Sequence, residues 1–143
     1  MKPCLVDANV WLALLAPRHV HHAAAVRWFD SCSVREAGMC RIVQLGLIRL
    51  LGNRSIFGDG ALSAAAAWNA IQDLLADERV DFVAEPSGLD SLLPQLFRYP
   101  VPTGKLVGDA YLAAFALAAS RRMVTADSGF QQFHKLEVEF LGS

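Results

Sequence analysis

The sequence carries no excess of either charge: 13 Lys+Arg stand against 14 Asp+Glu, a formal net charge of −1. A chain held on nucleic acid by bulk positive charge is excluded, while a local basic patch stays open. Cysteine is scarce and odd in number, and Cys4, Cys32 and Cys40 form no CxxC pair. That excludes a disulfide framework and reads as reduced, mostly buried thiols in the cytoplasm. Long hydrophobic runs are missing as well. The longest one near the carboxyl end covers residues 110–119, well short of the roughly 20 residues a membrane-spanning helix needs. The start, Met1-Lys2-Pro3-Cys4-Leu5-Val6, lacks the basic stretch and the long apolar run of a secretory leader. There is no repeat, low-complexity tract or linker. The expectation is a soluble cytoplasmic protein with no membrane attachment.

What the chain does have is core. Its 143 residues are 54% hydrophobic and 19% charged, which suits one domain over 1–143 that folds without a disulfide or metal staple.

Short apolar runs alternate with helical patterns. Cys4-Leu5-Val6 reads as a buried strand closed by Asp7, followed by a short helix from Asn9 to Ala16 that Pro17 stops. Residues Val20 to Cys32 have helical spacing. Gly38 to Arg41 reads as a second strand and Ile42 to Leu51 as a helix ended by Gly52-Asn53. Asn53 to Gly60 reads as the loosest segment, and Ser63 as the N-cap of a helix bearing Ala67, Trp68, Ile71 and Leu74. Val80 to Ala84 is a third strand and Leu89 to Phe97 a short helix, after which Pro100 and Pro102 force a loop. A long Ala-rich helix is expected from Lys105 to Arg121, then strands at Met123–Ala126 and Val138–Leu141. This alternation predicts an α/β fold, with a parallel sheet of about five strands covered on both faces.

The architecture places chemistry. Ligands of open parallel sheets bind outside the carboxyl ends of the strands, where strand order reverses. Asp7 follows the first strand and Asp127 the fourth. Asp109 lies in the first turns of the helix feeding the fourth strand, and Gln44 opens the helix after the second. If strands one and four are neighbours, three carboxylates meet on one rim. Two like charges ~4 Å apart repel by about 4 kcal/mol at an effective dielectric near 20, so an acid must gain a proton or the cluster a cation. Hard oxygen donors with no His or Cys among them favour Mg²⁺ or Mn²⁺ over zinc. Each acid alone has a plain structural reading, Asp7 as a helix cap, Asp109 as a partner of Lys105 and Asp127 as a turn residue.

Three segments carry a family resemblance: Leu5-Val6-Asp7-Ala8-Asn9 with Trp11-Leu12, then Gly108-Asp109-Ala110-Tyr111-Leu112-Ala113-Ala114-Phe115-Ala116, then Val124-Thr125-Ala126-Asp127-Ser128-Gly129-Phe130. In this order the chain resembles PIN domains, specifically the VapC-type toxins of bacterial toxin–antitoxin modules. The resemblance implies a three-layer α/β/α fold and a metal-dependent endoribonuclease held inactive by a cognate antitoxin. It implies that Asp7, Asp109 and Asp127 hold Mg²⁺ or Mn²⁺ and are catalytic, with Asn9, Thr125 and Ser128 orienting ligands or waters. Gln44 departs from the family, which usually has a glutamate there. An uncharged amide predicts weaker cation affinity, so that Gln44→Glu is expected to tighten Mn²⁺.

The rival reading is a PIN-fold binding module, disabled by Gln44. A haloacid-dehalogenase-type phosphatase needs an acid where Asn9 stands, and a receiver domain needs paired acids near the first strand. Arg41, Arg49, Arg54 and Lys105 lie where they can reach the rim, and Arg41 and Lys105 are the expected RNA contacts. His19, His21 and His22 read as a solvated helix start, and Trp28, Phe29 and Trp68 as core or subunit interface. The segment 53–60 with its following helix is a candidate clip for the antitoxin or for a homodimer contact.

Overall fold

In the computed structural model, which describes residues 2–98 and 104–142, five short strands form one parallel sheet in the order β3-β2-β1-β4-β5. They are β1 (Cys4–Val6), β2 (Ala37–Met39), β3 (Val80–Phe82), β4 (Arg122–Thr125) and β5 (Val138–Phe140). The expected loop at Pro100 and Pro102 lies outside the described residues. Strands β1, β2 and β4 are buried along their whole length; β1 is apolar throughout, while β4 carries Arg122 at its start and Thr125 at its end. In register, Val6 pairs Val124 of β4, while Leu5 pairs Gly38 and Met39 pairs Phe82.

Strand order explains the layers. From β1 the chain steps outward to β2 through helices α1 (Ala8–Leu15) and α2 (His22–Asp30), then to β3 through α3 (Arg41–Leu51), a short α4 (Arg54–Phe57) and α5 (Ala64–Leu75). From β3 it crosses back past β1 to β4 through α6 (Leu89–Leu96) and α7 (Lys105–Ala118). Parallel crossovers are right-handed, so reversing direction along the sheet puts α6 and α7 on the opposite face. The packing agrees: α1 lies against α2 and α3, α3 against α5, and α6 against α7. The result is the expected α/β/α sandwich, with its reversal point between β1 and β4.

Several boundaries differ from the sequence reading. The segment 53–60 is not loose: Asn53 accepts from the Ser55 N–H and starts α4, and a 3₁₀ turn at Gly58–Gly60 follows. Strand β2 ends at Met39, because Cys40 already has the extended backbone of a helix cap and Arg41 begins α3. Helix α7 stops at Ala118, where Ser120 turns left-handed (φ 56°) and releases Arg122 into β4 beside Cys4.

The core is continuous. Trp11 meets the rings of Trp28 and Phe29 edge-on at 6.2 Å, as expected for Trp28 and Phe29. Trp68 is the exception, 39% exposed, while Ala67, Ile71 and Leu74 of the same helix do the packing. The three cysteines are buried and unpaired. Among the described residues no helix is long and apolar enough to cross a membrane.

Candidate metal centre at the sheet's carboxyl edge

The first residue past β1 is Asp7. Its extended backbone and its Oδ1, accepting from the Ala8 N–H at 2.8 Å, make it the N-cap of α1. Its other oxygen, Oδ2, accepts from the Thr125 hydroxyl at 2.8 Å. Thr125 ends β4, and its Oγ1 also accepts from the Asp127 N–H at 3.0 Å. One buried hydroxyl thus ties the two strand ends at the reversal point. Asp127 then caps the 3₁₀ turn Ser128–Gln132, its Oδ1 accepting from the Gly129 N–H at 2.9 Å. Asn9 adds a clamp, its Oδ1 accepting from the Ala126 N–H at 3.3 Å. Ser128 opens the turn as an exposed residue.

Asp109 sits in the second turn of α7, only 7% exposed, and its Oδ2 is buried with no hydrogen-bond partner. Gly129 lies beside both Asp109 and Asp127: a Cβ on it would be 3.2 Å from Asp127 Oδ1 and 3.7 Å from Asp109 Oδ2. The three sequence-predicted acids are therefore brought together on one rim. Lys105, at the start of α7, places its ammonium on Asp127 Oδ2.

The electrostatics follow. Burial pushes the Asp109 carboxyl up to about 6, and the Asp7 and Asp127 charges add to the rise. Burial also raises Asp7, against the Thr125 and Ala8 hydrogen bonds. For Asp127 burial pushes upward, but Lys105 and the Gly129 N–H outweigh it and hold the carboxyl below its ordinary value. Lys105 is raised in turn by its hydrogen bond to Asp127 and by the other two acids.

Asp7 and Asp109 open into a cleft of about 160 Å³, walled by Ile42, Val43, Gly46 and Leu112, with Arg49 at its edge. A larger cavity of about 430 Å³ lies between α6, α7 and Phe133; Leu92, Leu96 and Leu117 line it together with Gln95, Arg98 and Lys135, and it holds no carboxylate. Of the two, the smaller cleft is the one that Asp7 and Asp109 line.

Gln44 does not join the acids. Its side chain is wholly buried beneath the rim, its oxygen accepting from Arg41 Nη1 at 2.6 Å and its amide reaching Met39 Sδ at 3.7 Å. Arg41 itself lies over two rings, 5.0 Å from Phe82 and 5.7 Å from Trp68. Arg54 pairs with Asp59 on the surface. The histidines serve the turn between α1 and α2: His19 Nδ1 accepts from the His21 N–H, and the His22 ring meets the Ala13 carbonyl at 2.7 Å. The reading by sequence missed the Lys105–Asp127 contact, which spans 22 residues, and the Arg41–Gln44–Met39 chain. It also had no means of finding Gly129 between two carboxylates.

Three features fit this donor set to a hard divalent cation: oxygen donors only, a buried carboxylate oxygen without a partner, and mutual repulsion that a double positive charge removes. The cluster is not yet a cage. Among the described residues no group of three His, Cys, Asp or Glu side chains is already arranged to hold an ion, and the Lys105 ammonium takes part of that role.

Comparison with known proteins bears on the chain as a whole. The PIN domain profile matches residues 4–136. Ribonuclease VapC41 of Mycobacterium tuberculosis is 38% identical over 142 residues, which cover 96% of this chain and 97% of that protein. Among solved structures, a toxin–antitoxin complex from Klebsiella pneumoniae superposes with TM-score 0.66 at 14% identity, covering 98% of each chain. Mycobacterium tuberculosis VapC20, a toxin that cleaves the sarcin–ricin loop, superposes with TM-score 0.65 at 22% identity, covering 90% of this chain and 92% of that one. The two structural likenesses concern the fold.

Proposed function

The chain belongs to the PIN domain family, and on that premise we propose that it is a divalent-metal-dependent endoribonuclease, the toxin of a toxin–antitoxin pair. The observation that carries this reading is the gathering of Asp7, Asp109 and Asp127 at the reversal point of the sheet, with Asp109 Oδ2 buried and unpartnered. The similarity to a ribonuclease along nearly the whole chain supports the activity, and the likeness to a toxin–antitoxin complex supports a cognate antitoxin as partner.

In this reading Asp7, Asp109 and Asp127 hold Mg²⁺ or Mn²⁺. The ion would supply activation of the attacking water and charge neutralisation at the phosphate. The chain's own part is positioning. Thr125 holds Asp7 Oδ2 and the Asp127 backbone in one register, and the Ala8 N–H fixes the remaining Asp7 oxygen. Asn9 locks the loop after β4 to the start of α1. Gly129 leaves the space between Asp109 and Asp127 open. Ser128, exposed at the turn, faces water and can orient one. Lys105 keeps Asp127 ionised and, once displaced, presents its ammonium to the RNA phosphate; Arg49 offers a second cation at the cleft edge. Function as one unit over residues 1–143, as a cytoplasmic homodimer, belongs to the same reading.

The alternative of an inactive module rested on Gln44. With Gln44 bound to Arg41 and Met39, the missing charge lies outside the acid cluster and that argument loses its force. Purified full-length chain, given single-stranded and hairpin RNAs, is expected to cleave with Mn²⁺ and to stop with EDTA. Cleavage by Asp7→Asn or Asp109→Asn at the wild-type rate would refute the proposal.

A further inference from the structure

The cleft above Asp7 and Asp109 holds about 160 Å³, room for a phosphate with part of its sugar, so bases flanking the cut must find a place elsewhere. The chain, at net charge −1, also lacks a bulk electrostatic hold on RNA, and affinity must come from local contacts. Beside the cleft lies a surface suited to that need. Trp68 and Phe82 are 39% and 40% exposed, and the Arg41 guanidinium stands within 6 Å of both rings (5.7 and 5.0 Å). Arg41 is held by a 2.6 Å hydrogen bond to Gln44, which is itself buried and anchored on Met39. Ile42, the next residue, is exposed and lines the cleft, so the two surfaces are continuous.

Register sets the separation. Phe82 pairs Met39, and Gly38 pairs Leu5, so Phe82 is level with Val6, the residue before Asp7, two strands away. At roughly 4.8 Å per strand that is about 10 Å along the rim, within reach of a nucleotide adjoining the scissile one.

We propose that Trp68, Phe82 and Arg41 form a subsite for an unpaired nucleobase flanking the cleaved phosphate, with Gln44 as the residue that positions Arg41. The proposal rests on the ribonuclease reading above. Aromatic faces accept any base, and a guanidinium plane adds a stacking surface with a charge that complements the RNA backbone. The occupant is a single-stranded segment, because a paired base has no free face to offer.

The test titrates full-length protein, in EDTA to prevent cleavage, with single-stranded RNA decamers that carry one abasic ribose at each position in turn. Trp68 is exposed while Trp11 and Trp28 are buried, so quenching of tryptophan fluorescence reports on it. Expected results are quenching of the wild type by the intact decamer and, read for every variant from the fluorescence anisotropy of an end-labelled decamer, a roughly tenfold weaker Kd for Trp68→Ala/Phe82→Ala. The abasic ribose at one position should weaken wild type by the same factor and leave the double variant unaffected. Trp68→Phe, which keeps a ring, should retain most of the affinity, and unchanged melting curves would exclude misfolding. Gln44→Leu should weaken binding through Arg41, and Gln44→Glu, which still accepts from Arg41, should not.

Equal RNA affinity in wild type and double variant would overturn the subsite. So would a double variant that keeps RNA binding but loses self-association or antitoxin binding, which would make the patch a protein interface. Failure of wild type to cleave any RNA with Mn²⁺ would remove the ribonuclease reading and the subsite together. Cleavage by wild type with no abasic position effect would remove the subsite alone.

Discussion

At the amino-terminal edge of the sheet, Arg122 donates to Glu36 at 2.9 Å and to Glu139 at 3.3 Å, and Arg121 donates to Asp81 at 2.9 Å. At the carboxyl edge the Lys105 ammonium bonds Asp127 and reaches Asp7 and Asp109 only through its field. Glu36 and Asp109 are about equally buried, at 5% and 7% exposure, yet their carboxyls move in opposite directions. Burial pushes both upward. For Glu36 the Ser33 N–H and Arg122 outweigh that push and hold it below the ordinary value, whereas Asp109 rises to about 6. Pairing spends charge on the fold; leaving it unpaired keeps it available to a ligand. Even the glycines follow this division. Gly38 lets the Arg121 side chain pass 2.7 Å from where a Cβ would sit, and Gly129 leaves open the space beside Asp109 and Asp127 that a Cβ would enter.

The sharpest way to break the contrast is Asp109→Asn. Cleavage should fall on the order of a thousandfold, about 4 kcal/mol of transition-state stabilisation, while the metal-free protein at pH 7.5 becomes no less stable. Single-turnover cleavage beside urea unfolding checks both, and parallel loss of stability would erase the distinction between the edges. Arg122→Met should do the reverse. It leaves Glu36 buried without its cation, at a cost of about 3 kcal/mol or more in unfolding free energy, with cleavage preserved below the lowered Tm.

A smaller effect comes from pH. Asp109 has a folded value near 6, above its ordinary 3.8, so the native state keeps this proton longer than the unfolded chain does. Its contribution to metal-free stability therefore declines as pH rises from about 4 to about 6 and stays low above that, by up to about 3 kcal/mol. Asp127, held below its ordinary value, contributes stability that is present above pH 4 and lost on further acidification. In the proposed metal reading Mn²⁺ would neutralise the ionised cluster, so the rise in Tm on adding it should grow between pH 5 and 7.5. A metal-induced shift equal at both pH values would contradict the assignment.

Lys105→Ala removes the ammonium that competes for Asp127 and should tighten Mn²⁺ several-fold by calorimetry, a change of about 1 kcal/mol. The smallest expected effect is that of Gln44→Glu. The sequence alone predicts tighter Mn²⁺, but the side chain faces Arg41 and Met39, so calorimetry should find the affinity within about twofold of wild type. A clear gain would return residue 44 to the metal site.

Part of this arrangement is legible in the chain itself. Asp7 and Asp127 were legible because each closes a short apolar run, and a parallel sheet turns strand ends into a common rim. Asp109 followed from a helix that must begin where its strand ends. The amino-terminal network was not legible: Arg122 belongs in composition to the Ala-rich helix before it, and only the left-handed Ser120 hands it to β4. Helical spacing places Gln44 near the rim, but which way the amide points depends on Arg41 and Met39, and periodicity is blind to that. Trp68 fits an apolar stripe by count, yet Ala67, Ile71 and Leu74 fill the contact with α3 and leave the indole outside.

Strand β1 lies at the middle of the sheet, but its neighbour β4 is made more than a hundred residues later, with Cys4 pairing Arg122. A ribosome must therefore synthesise the chain through Asp127 before the three acids can meet, and a product released early carries at most two of them. So high a contact order slows folding. Until Asp127 has been added, a growing chain therefore carries the acidic rim incomplete.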